Sequence, residues 1–457
     1  MTRAAAEPWA TREFGIDLRH DDSATGHLVP ELVVPGLRRN PRRAHLLVST
    51  VLGKHLPTEP RVVLDAGDRL GERVLRALGI DPAAPGPEVD AVVLGFAETA
   101  TGLGHCVAAR IGARCYLHST RRDVPGADTL AGFEEGHSHA TSHLLQPTSA
   151  SLFTGTAPLV LVDDEISTGA TAVDAIRALH AHHPRARYVV ASLVDMRTDE
   201  HRADCDLAAA ELGVEIDYVS LATGTTVLPD GLLDRVVGLE DPALNPVADA
   251  RGSVDRVEVA WPATVPDGGR HGFLHTDTPA FERAVADAAD ALAPRLDPSR
   301  PVIVVGHEEL MYLPLRLAAA LGARGIASRF QTTTRSPAYV RDEPGYPLRR
   351  GFTFPAPEPD DSAARYLYNA QWPSDEPQHA QWPSDEPQQT QWASPEPTDV
   401  PRAQILLVVD GPADTPLLHV DGGLLDVLAA AGSDVLLAVV PSTDPETLRE
   451  SRGTTYP

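Results

Sequence analysis

Residues 159–171 read Leu159-Val160-Leu161-Val162-Asp163-Asp164-Glu165-Ile166-Ser167-Thr168-Gly169-Ala170-Thr171. The four apolar residues at the start of this segment predict a buried strand. Asp163 and Asp164 follow at the predicted strand end, and a loop of small residues leads into a helix that we expect to start near Thr171. A strand, a short loop and a helix in this order are typical of a parallel α/β sheet.

The loop at residues 167–171 has the composition of a phosphate site. Its backbone amides and hydroxyls would converge on one point, and the positive end of the following helix would favour an anion there. Asp163 and Asp164, one step earlier, suit the vicinal hydroxyls of a ribose. A ribose 5-phosphate offers both groups. The alternative is an ordinary strand, turn and helix in which the two acids only begin the turn.

The same stretch resembles the phosphoribosyl-pyrophosphate signature of type I phosphoribosyltransferases, which is an apolar strand, paired acids and a small-residue loop ending in Gly-x-Thr. The resemblance implies an α/β fold with a mainly parallel sheet. It also implies that Asp163 and Asp164 face the ribose hydroxyls and that residues 167–171 wrap the 5-phosphate of phosphoribosyl pyrophosphate (PRPP).

A donor of this kind also carries a pyrophosphate, so a second anion-binding loop is expected after an earlier strand. The segment that follows Ala91–Leu94 reads Gly95-Phe96-Ala97-Glu98-Thr99-Ala100-Thr101-Gly102-Leu103-Gly104. Because glycine lets the backbone approach an anion closely, we predict that residues 95–102 form the pyrophosphate loop. Lys54, the only lysine, and Arg121 and Arg122 would add pyrophosphate contacts. The alternative for Lys54 is a solvated lysine.

A more specific resemblance rests on several further motifs and covers residues 30–240 and 300–445. Its sequence elements are Asn40-Pro41-Arg42-Arg43-Ala44-His45, Val51-Leu52-Gly53-Lys54-His55, Tyr116-Leu117-His118-Ser119-Thr120-Arg121 and Thr334-Arg335-Ser336-Pro337. They are similar to phosphoribosyltransferase-like proteins encoded near tellurium-resistance and stress-response genes, and to the Thr-Arg-Ser-Pro (TRSP) domain fused behind them. This resemblance implies a role in making a nucleotide-like metabolite.

In phosphoribosyltransferases the interval after the pyrophosphate loop carries a mobile hood, and here that interval is Thr120–Leu145. Glu135, His137 and His139 lie in it, and we expect them to join Asp163 and Asp164 as catalytic residues. Two alternatives remain, namely a transition-metal site, because His-x-His with nearby acids is rich in ligands, and a structural polar loop. Mg²⁺ is the expected working ion, held by Asp163 and Glu165 mainly through substrate and water.

The composition of the chain argues against some classes of binding partner and cellular location. A formal charge of -25 argues against nucleic acid and anionic membranes. Cys106, Cys115 and Cys205 are too few and too scattered for a disulfide framework. The N-terminus has no apolar core of a signal peptide, and no run is long enough to span a membrane, so we expect a cytoplasmic protein. A homodimer is a further expectation.

The 457 residues are enough for two or three cores. We predict a flexible lead-in at 1–27, a phosphoribosyltransferase-like domain at 28–240, a linker with a short helix at 241–300 and a Rossmann-like α/β TRSP domain at 301–450. Within the last domain, a decapeptide repeat predicts a disordered insertion at 370–400. Its tryptophans Trp372, Trp382 and Trp392 either anchor a partner or belong to a mere spacer.

Individual elements follow from apolar runs and turn residues. Asn40 and Pro41 predict the start of a helix that runs to about Lys54, and another helix is expected at Phe281–Leu292. The predicted strands are Val62–Leu64, Ala91–Leu94, Cys115–His118, Leu159–Val162, Tyr188–Val194, Tyr218–Leu221, Val302–Val305, Arg329–Thr333, Ile405–Val409 and Val435–Val440.

Polar residues follow three strands of the second domain, where open α/β sheets bind ligands. They are His307, Glu308, Arg335, Ser336 and Asp410. One hypothesis is a second site for an anionic ligand, in which Arg335 grips a phosphate or carboxylate. The other is a docking domain in which Arg335 is a structural ion-pair partner.

The leading functional hypothesis is an Mg²⁺-dependent phosphoribosyltransferase that uses PRPP and a base-like acceptor. Two alternatives remain open at this point. One is a sensor that binds PRPP or a nucleotide and acts through a protein partner. The other is an enzyme that cleaves a nucleotide or phosphorylates a nucleoside.

Overall fold

The computed structural model describes residues 7–40, 43–124, 126–134, 142–358, 361–371 and 402–452. The strands are β1 (Asp17–Asp22), β2 (Val33–Leu37), β3 (His45–Ser49), β4 (Val89–Gly95), β5 (Ala113–His118), β6 (Ala131–Glu134), β7 (Ser142–Leu145), β8 (Leu159–Ile166), β9 (Arg187–Asp195), β10 (Glu215–Val227), β11 (Val254–Glu258), β12 (Phe273–Leu274), β13 (Val302–Gly306), β14 (Ser328–Thr332), β15 (Gly351–Pro355), β16 (Ala364–Tyr368), β17 (Gln404–Asp410) and β18 (Val435–Val440). The helices are α1 (Trp9–Phe14), α2 (Val29–Leu32), α3 (Pro60–Ala77), α4 (Thr101–Ile111), α5 (Ala170–His182), α6 (Asp199–Leu212), α7 (Leu232–Val237), α8 (Thr278–Leu292), α9 (Tyr312–Ala323), α10 (Leu424–Ala430) and α11 (Pro445–Arg452).

The first sheet has the strand order β1-β10-β9-β8-β4-β5-β12. Its central strands from β10 to β5 are parallel, and β1 and β12 add antiparallel edges. β4 and β8 are neighbours, with Gly95 opposite Val162. The loops that follow these two strands therefore leave the sheet side by side, which is the arrangement that the predicted phosphate and pyrophosphate loops require.

The second sheet has the order β11-β18-β17-β13-β14, and all of its strands are parallel. Both sheets confirm the predicted α/β class with a mainly parallel architecture. The two halves of the protein, before and after residue 241, share one apolar core, in which Phe281 and Tyr312 of the second half lie with Leu103 and Val107 of α4. Among the described helices, none is both long and apolar enough to cross a bilayer.

The region 241–300 is not the linker that we predicted. Val254–Glu258 forms the edge strand β11 of the second sheet, and Phe273–Leu274 forms β12 at the edge of the first. β11 is mostly exposed and polar, and β12 has only 2 residues, so neither produces an apolar run. The predicted helix is present as α8.

The N-terminal lead-in is likewise structured where it is described. Asp17–Asp22 pairs with β10 as an edge strand, and α1 precedes it. The strand escaped prediction because its sequence, DLRHDD, carries only one apolar residue. The predicted disordered insertion, with its three tryptophans, falls on residues 372–401, which lie outside the described residues.

Two local predictions before residue 80 are wrong. The segment from Asn40 to Lys54 is not a helix, because residues 45–49 form β3 and pair with β2 as an antiparallel hairpin. Residues 62–64 are not a strand but part of α3, which has Pro60 in its first turn. Gly67 lets α3 approach α4 closely, since an added Cβ there would lie 2.2 Å from Cβ of Cys106.

Candidate functional site

A cavity of about 220 Å³ opens at the carboxyl ends of β4 and β8. Residues of the first sheet, of the β2–β3 hairpin and of the second half all contribute to its wall. The lining residues are Arg38, Arg43, Leu46, Leu47, Lys54, Phe96, Ala97, Glu98, Thr99, Arg121, His143, Asp163, Asp164, Glu165, Ile166, Ser167, Thr168, Gly169, Thr171, Ala172, Val190, Arg335, Ser336, Ala363 and Ala364.

The predicted 5-phosphate loop lies open to this cavity. It connects β8 to α5, and Gly169 adopts a φ of 84° immediately before the helix. In the described part of the chain, the amides of Ser167, Thr168 and Gly169 have no hydrogen-bond acceptor, whereas the Ala170 amide donates to Oγ1 of Thr168 at 3.3 Å. Unpaired amides at a helix N-terminus are the groups that bind a phosphate.

The loop rests on a buried support. Arg197 makes two hydrogen bonds to the Asp195 carboxylate, from Nε at 3.0 Å and from Nη2 at 2.8 Å. The Met196 amide donates to the carbonyl of Ile166, and the Cys205 thiol contacts the carbonyl of Thr168 at 3.6 Å. These contacts fix the backbone of the turn, and Ser167, Thr168 and Gly169 line the cavity.

The acidic residues of β8 stand beside two cations. Nζ of Lys54 lies 4.0 Å from Oδ2 of Asp164, and Nη2 of Arg43 donates to Oε1 of Glu165 at 2.6 Å. Asp163 and Asp164 each accept a hydrogen bond from the next backbone amide, at 2.9 and 3.1 Å. All three carboxylates line the cavity, but Glu165 is already paired with an arginine.

The predicted pyrophosphate loop divides into two parts. Residues 96–99 line the cavity, whereas Ala100, Thr101 and Gly102 are buried, the last two against the second half. Oγ1 of Thr101 donates to the carbonyl of Glu309 at 2.9 Å, and an added Cβ on Gly102 would lie 3.0 Å from Cβ of Met311. Gly95 does not line the cavity but permits the turn, because an added Cβ would lie 2.6 Å from the Tyr116 hydroxyl.

Glu98 joins this loop to the Thr-Arg-Ser-Pro motif. Its Oε1 accepts a hydrogen bond from the Thr334 hydroxyl and another, at 2.9 Å, from the Arg335 amide. Glu98 is buried, with 8% of its surface exposed. Arg335 and Ser336 continue from this contact into the cavity wall.

Arg121 and Arg122 are adjacent in sequence, but their side chains lie in different environments. Arg121 lines the cavity and donates to the carbonyl of Ala97 at 3.2 Å. Arg122 does not line the cavity, and its guanidinium pairs with Asp410 at 2.9 Å and with Glu358 at 2.6 Å. The prediction that Arg122 contacts a pyrophosphate is therefore wrong, because buried carboxylates already hold it.

Within the segment predicted as a hood, Ala131–Glu134 (β6) pairs antiparallel with Ser142–Leu145 (β7). His143 on β7 lines the cavity, stacks on Phe133 at 4.5 Å and shares a hydrogen bond of 2.8 Å with the Ser119 hydroxyl. Glu135, His137 and His139 lie outside the described residues.

The predicted second ligand site is a buried ion-pair network. His307, Glu308 and Asp410 are at most 1% exposed and line no described cavity. Arg335 donates to Oε2 of Glu308 at 2.9 Å and pairs with Asp361 at 3.0 Å, while Arg365 also donates to Glu308. The Arg335 guanidinium is thus engaged in ion pairs, as the docking-domain alternative expects, although Arg335 also lines the cavity.

Glu309 and Asp410 are ionised members of this network. Burial alone would raise the pKa of both carboxyls, but Arg270 and Arg122 outweigh it and leave each pKa below its usual range. Glu309 also accepts from the Thr120 hydroxyl and from the Arg121 amide, both at 2.7 Å. A residue of the second half thus fixes a segment of the cavity wall in the first.

Candidate metal ligands converge at one place in the described ranges. Ligand atoms of His307, Glu308 and Glu358 lie within 4.8 Å of one another. Arginines surround these carboxylates, since Arg122 pairs with Glu358 and Arg335 with Glu308. This positive charge disfavours a cation there. Asp163, Asp164 and Glu165 offer oxygen atoms, the donors that Mg²⁺ prefers when substrate and water complete its shell.

Sequence reasoning missed several cavity residues. Leu46 and Leu47 belong to β3, where the sequence analysis predicts a helix, and Ala363 and Ala364 have no polar side-chain group. Two apolar runs on either side of a polar segment at residues 38–44 are a usable sequence signal for two paired strands. No local signal marks the alanines.

Comparison with known proteins gives two family matches. Residues 32–225 match the model described as phosphoribosyl transferase, and residues 267–428 match the model of the TRSP domain C-terminal to it. No curated protein matches the chain.

Among solved structures, 104 chains match. An adenine phosphoribosyltransferase from Rhodothermus marinus is 18% identical over 42% of this chain and 94% of its own, with a TM-score of 0.29. The enzyme from Giardia lamblia, complexed with 9-deazaadenine, is 15% identical over 42% and 94%, with a TM-score of 0.29. The enzyme from Leishmania tarentolae is 14% identical over 49% and 100%, with a TM-score of 0.31. Likenesses of this size carry no argument about substrates.

Proposed function

The chain belongs to the phosphoribosyltransferase family and carries a C-terminal TRSP domain, and from this premise we propose that it transfers the phosphoribosyl group of PRPP to a nitrogen of a base-like acceptor. The reaction would require Mg²⁺. The observation that carries this proposal is one cavity lined by a loop of unpaired amides, two aspartates and a second strand-to-helix loop.

We assign the ends of the donor to these parts. The amides of residues 167–169 and the start of α5 would hold the 5-phosphate, and Asp163 and Asp164 would accept hydrogen bonds from the ribose hydroxyls. Residues 96–99 would hold the pyrophosphate. Lys54 and Arg121, which line the same cavity, would add positive charge beside it.

In the transfer step the bond from C1 of the ribose to the pyrophosphate oxygen breaks and a bond from C1 to the acceptor nitrogen forms. Pyrophosphate leaves with the electron pair, and the acceptor nitrogen gives up its proton to the surroundings. The developing oxocarbenium character at C1 is vulnerable to water. We propose that β6, β7 and the second half screen it, and that Glu135, His137 and His139 act as catalytic residues.

Mg²⁺, when bound, would offset the charge of the pyrophosphate. Asp163 is the proposed protein contact, acting mainly through water and substrate, while Glu165 is paired with Arg43 and contributes less. We place the enzyme in the cytoplasm, since Cys106, Cys115 and Cys205 are free and buried thiols. A stress- or tellurium-associated biosynthetic pathway and a homodimer remain parts of the proposal.

The test replaces both aspartates. D163N/D164N should bind PRPP with Mg²⁺ about 100-fold more weakly by calorimetry, because two hydrogen bonds between hydroxyls and carboxylates are lost, each worth roughly 1.5 kcal/mol. D21N/D22N is the matched control, with the same charge change at the end of β1. Unchanged PRPP affinity in D163N/D164N would refute the assignment. Acceptor-dependent release of pyrophosphate tests the transfer itself.

A further inference from the structure

The TRSP motif lies at the transferase cavity, and its contact with Glu98 is the feature of interest. Glu98 belongs to the loop segment 96–99 that lines the cavity. Its Oε1 receives both the Thr334 hydroxyl and the Arg335 amide. These residues are separated by more than 200 positions in the chain, and the contact joins the two halves of the protein.

The geometry of Thr334 makes this contact directional. Its Oγ1 accepts a hydrogen bond from the Ser336 amide at 3.1 Å, so its own hydrogen is directed to Glu98. The Thr334 backbone is fixed as well, because its amide donates to the carbonyl of Tyr366 at 2.9 Å, and that of Tyr366 donates back at 2.8 Å. The hydroxyl is a rigid donor and not a mobile surface group, with Thr334 fully buried.

Other contacts hold the same loop from the first half. The Ala97 amide donates to the Ser119 hydroxyl at 2.9 Å, and Arg121 donates to the Ala97 carbonyl at 3.2 Å. Ala97 is therefore held by residues of the first half, whereas the next residue, Glu98, is held by residues of the second half. The next residue, Thr99, lines the cavity.

We propose that the TRSP motif is a positioning element of the transferase, which holds the pyrophosphate loop in its binding conformation through Thr334, Arg335 and Glu98. This inference rests on the proposed function, because it takes residues 96–99 as the pyrophosphate site. The ligand class is a pyrophosphate, free or as the leaving group of PRPP. Arg335 donates its backbone amide to Glu98, while its guanidinium pairs with Glu308 and Asp361 and also lies 3.8 Å, at Nε, from Oε2 of Glu98.

The experiment uses the full chain with Mg²⁺ and compares three probes by calorimetry: PRPP, inorganic pyrophosphate and ribose 5-phosphate. Thr334→Val removes the hydroxyl and keeps the shape. We expect affinity for PRPP and for pyrophosphate to fall roughly tenfold, since a hydrogen bond to a carboxylate is lost and the loop is released. Ribose 5-phosphate would bind at residues 167–169 and at Asp163 and Asp164 and not at residues 96–99, so its affinity should stay within about twofold of wild type. Thr334→Ser keeps the donor and should restore the binding of pyrophosphate.

Thr443→Val is a closely matched control. Thr443 is also buried, its hydroxyl donates to a buried carboxylate, that of Asp267, at 2.8 Å, and its Oγ1 accepts from a backbone amide. It does not line the cavity, so all three affinities should remain those of the wild type.

Two results would overturn the inference. One is wild-type affinity for pyrophosphate in Thr334→Val, and the other is an equal loss of ribose 5-phosphate binding, which would indicate general disruption. If the wild-type chain binds none of the three probes, the proposed function fails and the inference falls with it. If the wild type binds the probes and Thr334→Val keeps the same affinity for pyrophosphate, the inference is overturned but the proposed function stands.

Discussion

Gly169 is the residue at which the phosphate loop is most sensitive to a single added carbon. Its φ of 84° lies in the left-handed region, and a Cβ there would lie 2.7 Å from Sγ of Cys205 and 3.2 Å from Cδ of Arg197. Neither neighbour can easily give way, because Cys205 is buried in α6 and Arg197 is held by Asp195. Gly169→Ala should therefore strain the loop in two separate ways.

The magnitude follows from these two terms. The left-handed conformation costs an alanine about 1–2 kcal/mol. The steric overlap adds about 1–3 kcal/mol if the loop stays in place. We expect a loss of roughly 2–5 kcal/mol in the free energy of unfolding. If the loop moves instead, part of that loss is recovered, but the amides leave the phosphate position and the affinity for ribose 5-phosphate falls.

The assay combines urea unfolding with calorimetric titration of ribose 5-phosphate. Gly213→Ala isolates the conformational term, because Gly213 has a φ of 67° and no atom of the described residues lies within 4 Å of its added Cβ. Comparing Gly169→Ala/Cys205→Ala with Cys205→Ala isolates the steric term, which should shrink when the sulfur is absent.

The reasoning fails if Gly169→Ala unfolds no more easily than Gly213→Ala and also keeps wild-type affinity for ribose 5-phosphate. It would equally fail if removing the Cys205 sulfur left the cost of Gly169→Ala unchanged. Either result would mean that the loop tolerates a side chain that the described geometry excludes.

Two further predictions concern stability. Arg122→Met should lower the free energy of unfolding by about 3–5 kcal/mol, because Asp410 and Glu358 lose a buried partner; a loss below about 1 kcal/mol in urea unfolding would contradict the network described above. Burial lowers the pKa of His118 from 6.5 to about 4, so its neutral form is favoured in the folded state. The contribution of His118 to the free energy of unfolding is therefore fully present above pH 6.5 and is lost as the pH falls towards 4. The total loss is about 3 kcal/mol. His118→Gln should flatten this part of the pH dependence in unfolding measured at several pH values, and an unchanged slope would count against it.

The phosphate loop and the sheet around it could be predicted because their signals are local. Leu159–Ile166 begins with a fully buried apolar run, and the small-residue turn follows directly. The same holds for Val302–Gly306 and Val435–Val440, whose residues are all buried. Strands that are buried on both faces have continuous apolar sequences, which can be recognised without a structure.

Edge strands and the hairpin were missed because they lack such runs. β1 and β11 pair on one side only and keep polar residues exposed. The segment Val62–Leu64 looked like a strand because three apolar residues are consecutive. The longer pattern from Val63 through Leu70 to Val74 is helical and was the better guide.

The cavity wall was predictable only in part, since contacts between distant segments leave no trace in local sequence. Nothing near Arg121 and Arg122 distinguishes the one that lines the cavity from the one that pairs with Asp410. The motif at Thr334–Pro337 was recognised, but its contact with Glu98 depends on how the two halves pack. Chemistry carried by a single loop can be inferred from sequence, whereas a shared wall requires coordinates.

The crossing of residues 254–274 between the two sheets has a practical consequence for dissecting this enzyme. A fragment ending at residue 225 would lack β12 and leave β5 as an unpaired edge strand. A fragment starting at residue 267 would lack β11 and leave β18 as an unpaired edge strand. Unpaired edges of this kind recruit strands from other molecules. Expression of either half by itself thus invites precipitation, and the sensible unit for crystallisation and enzymology is the undivided polypeptide.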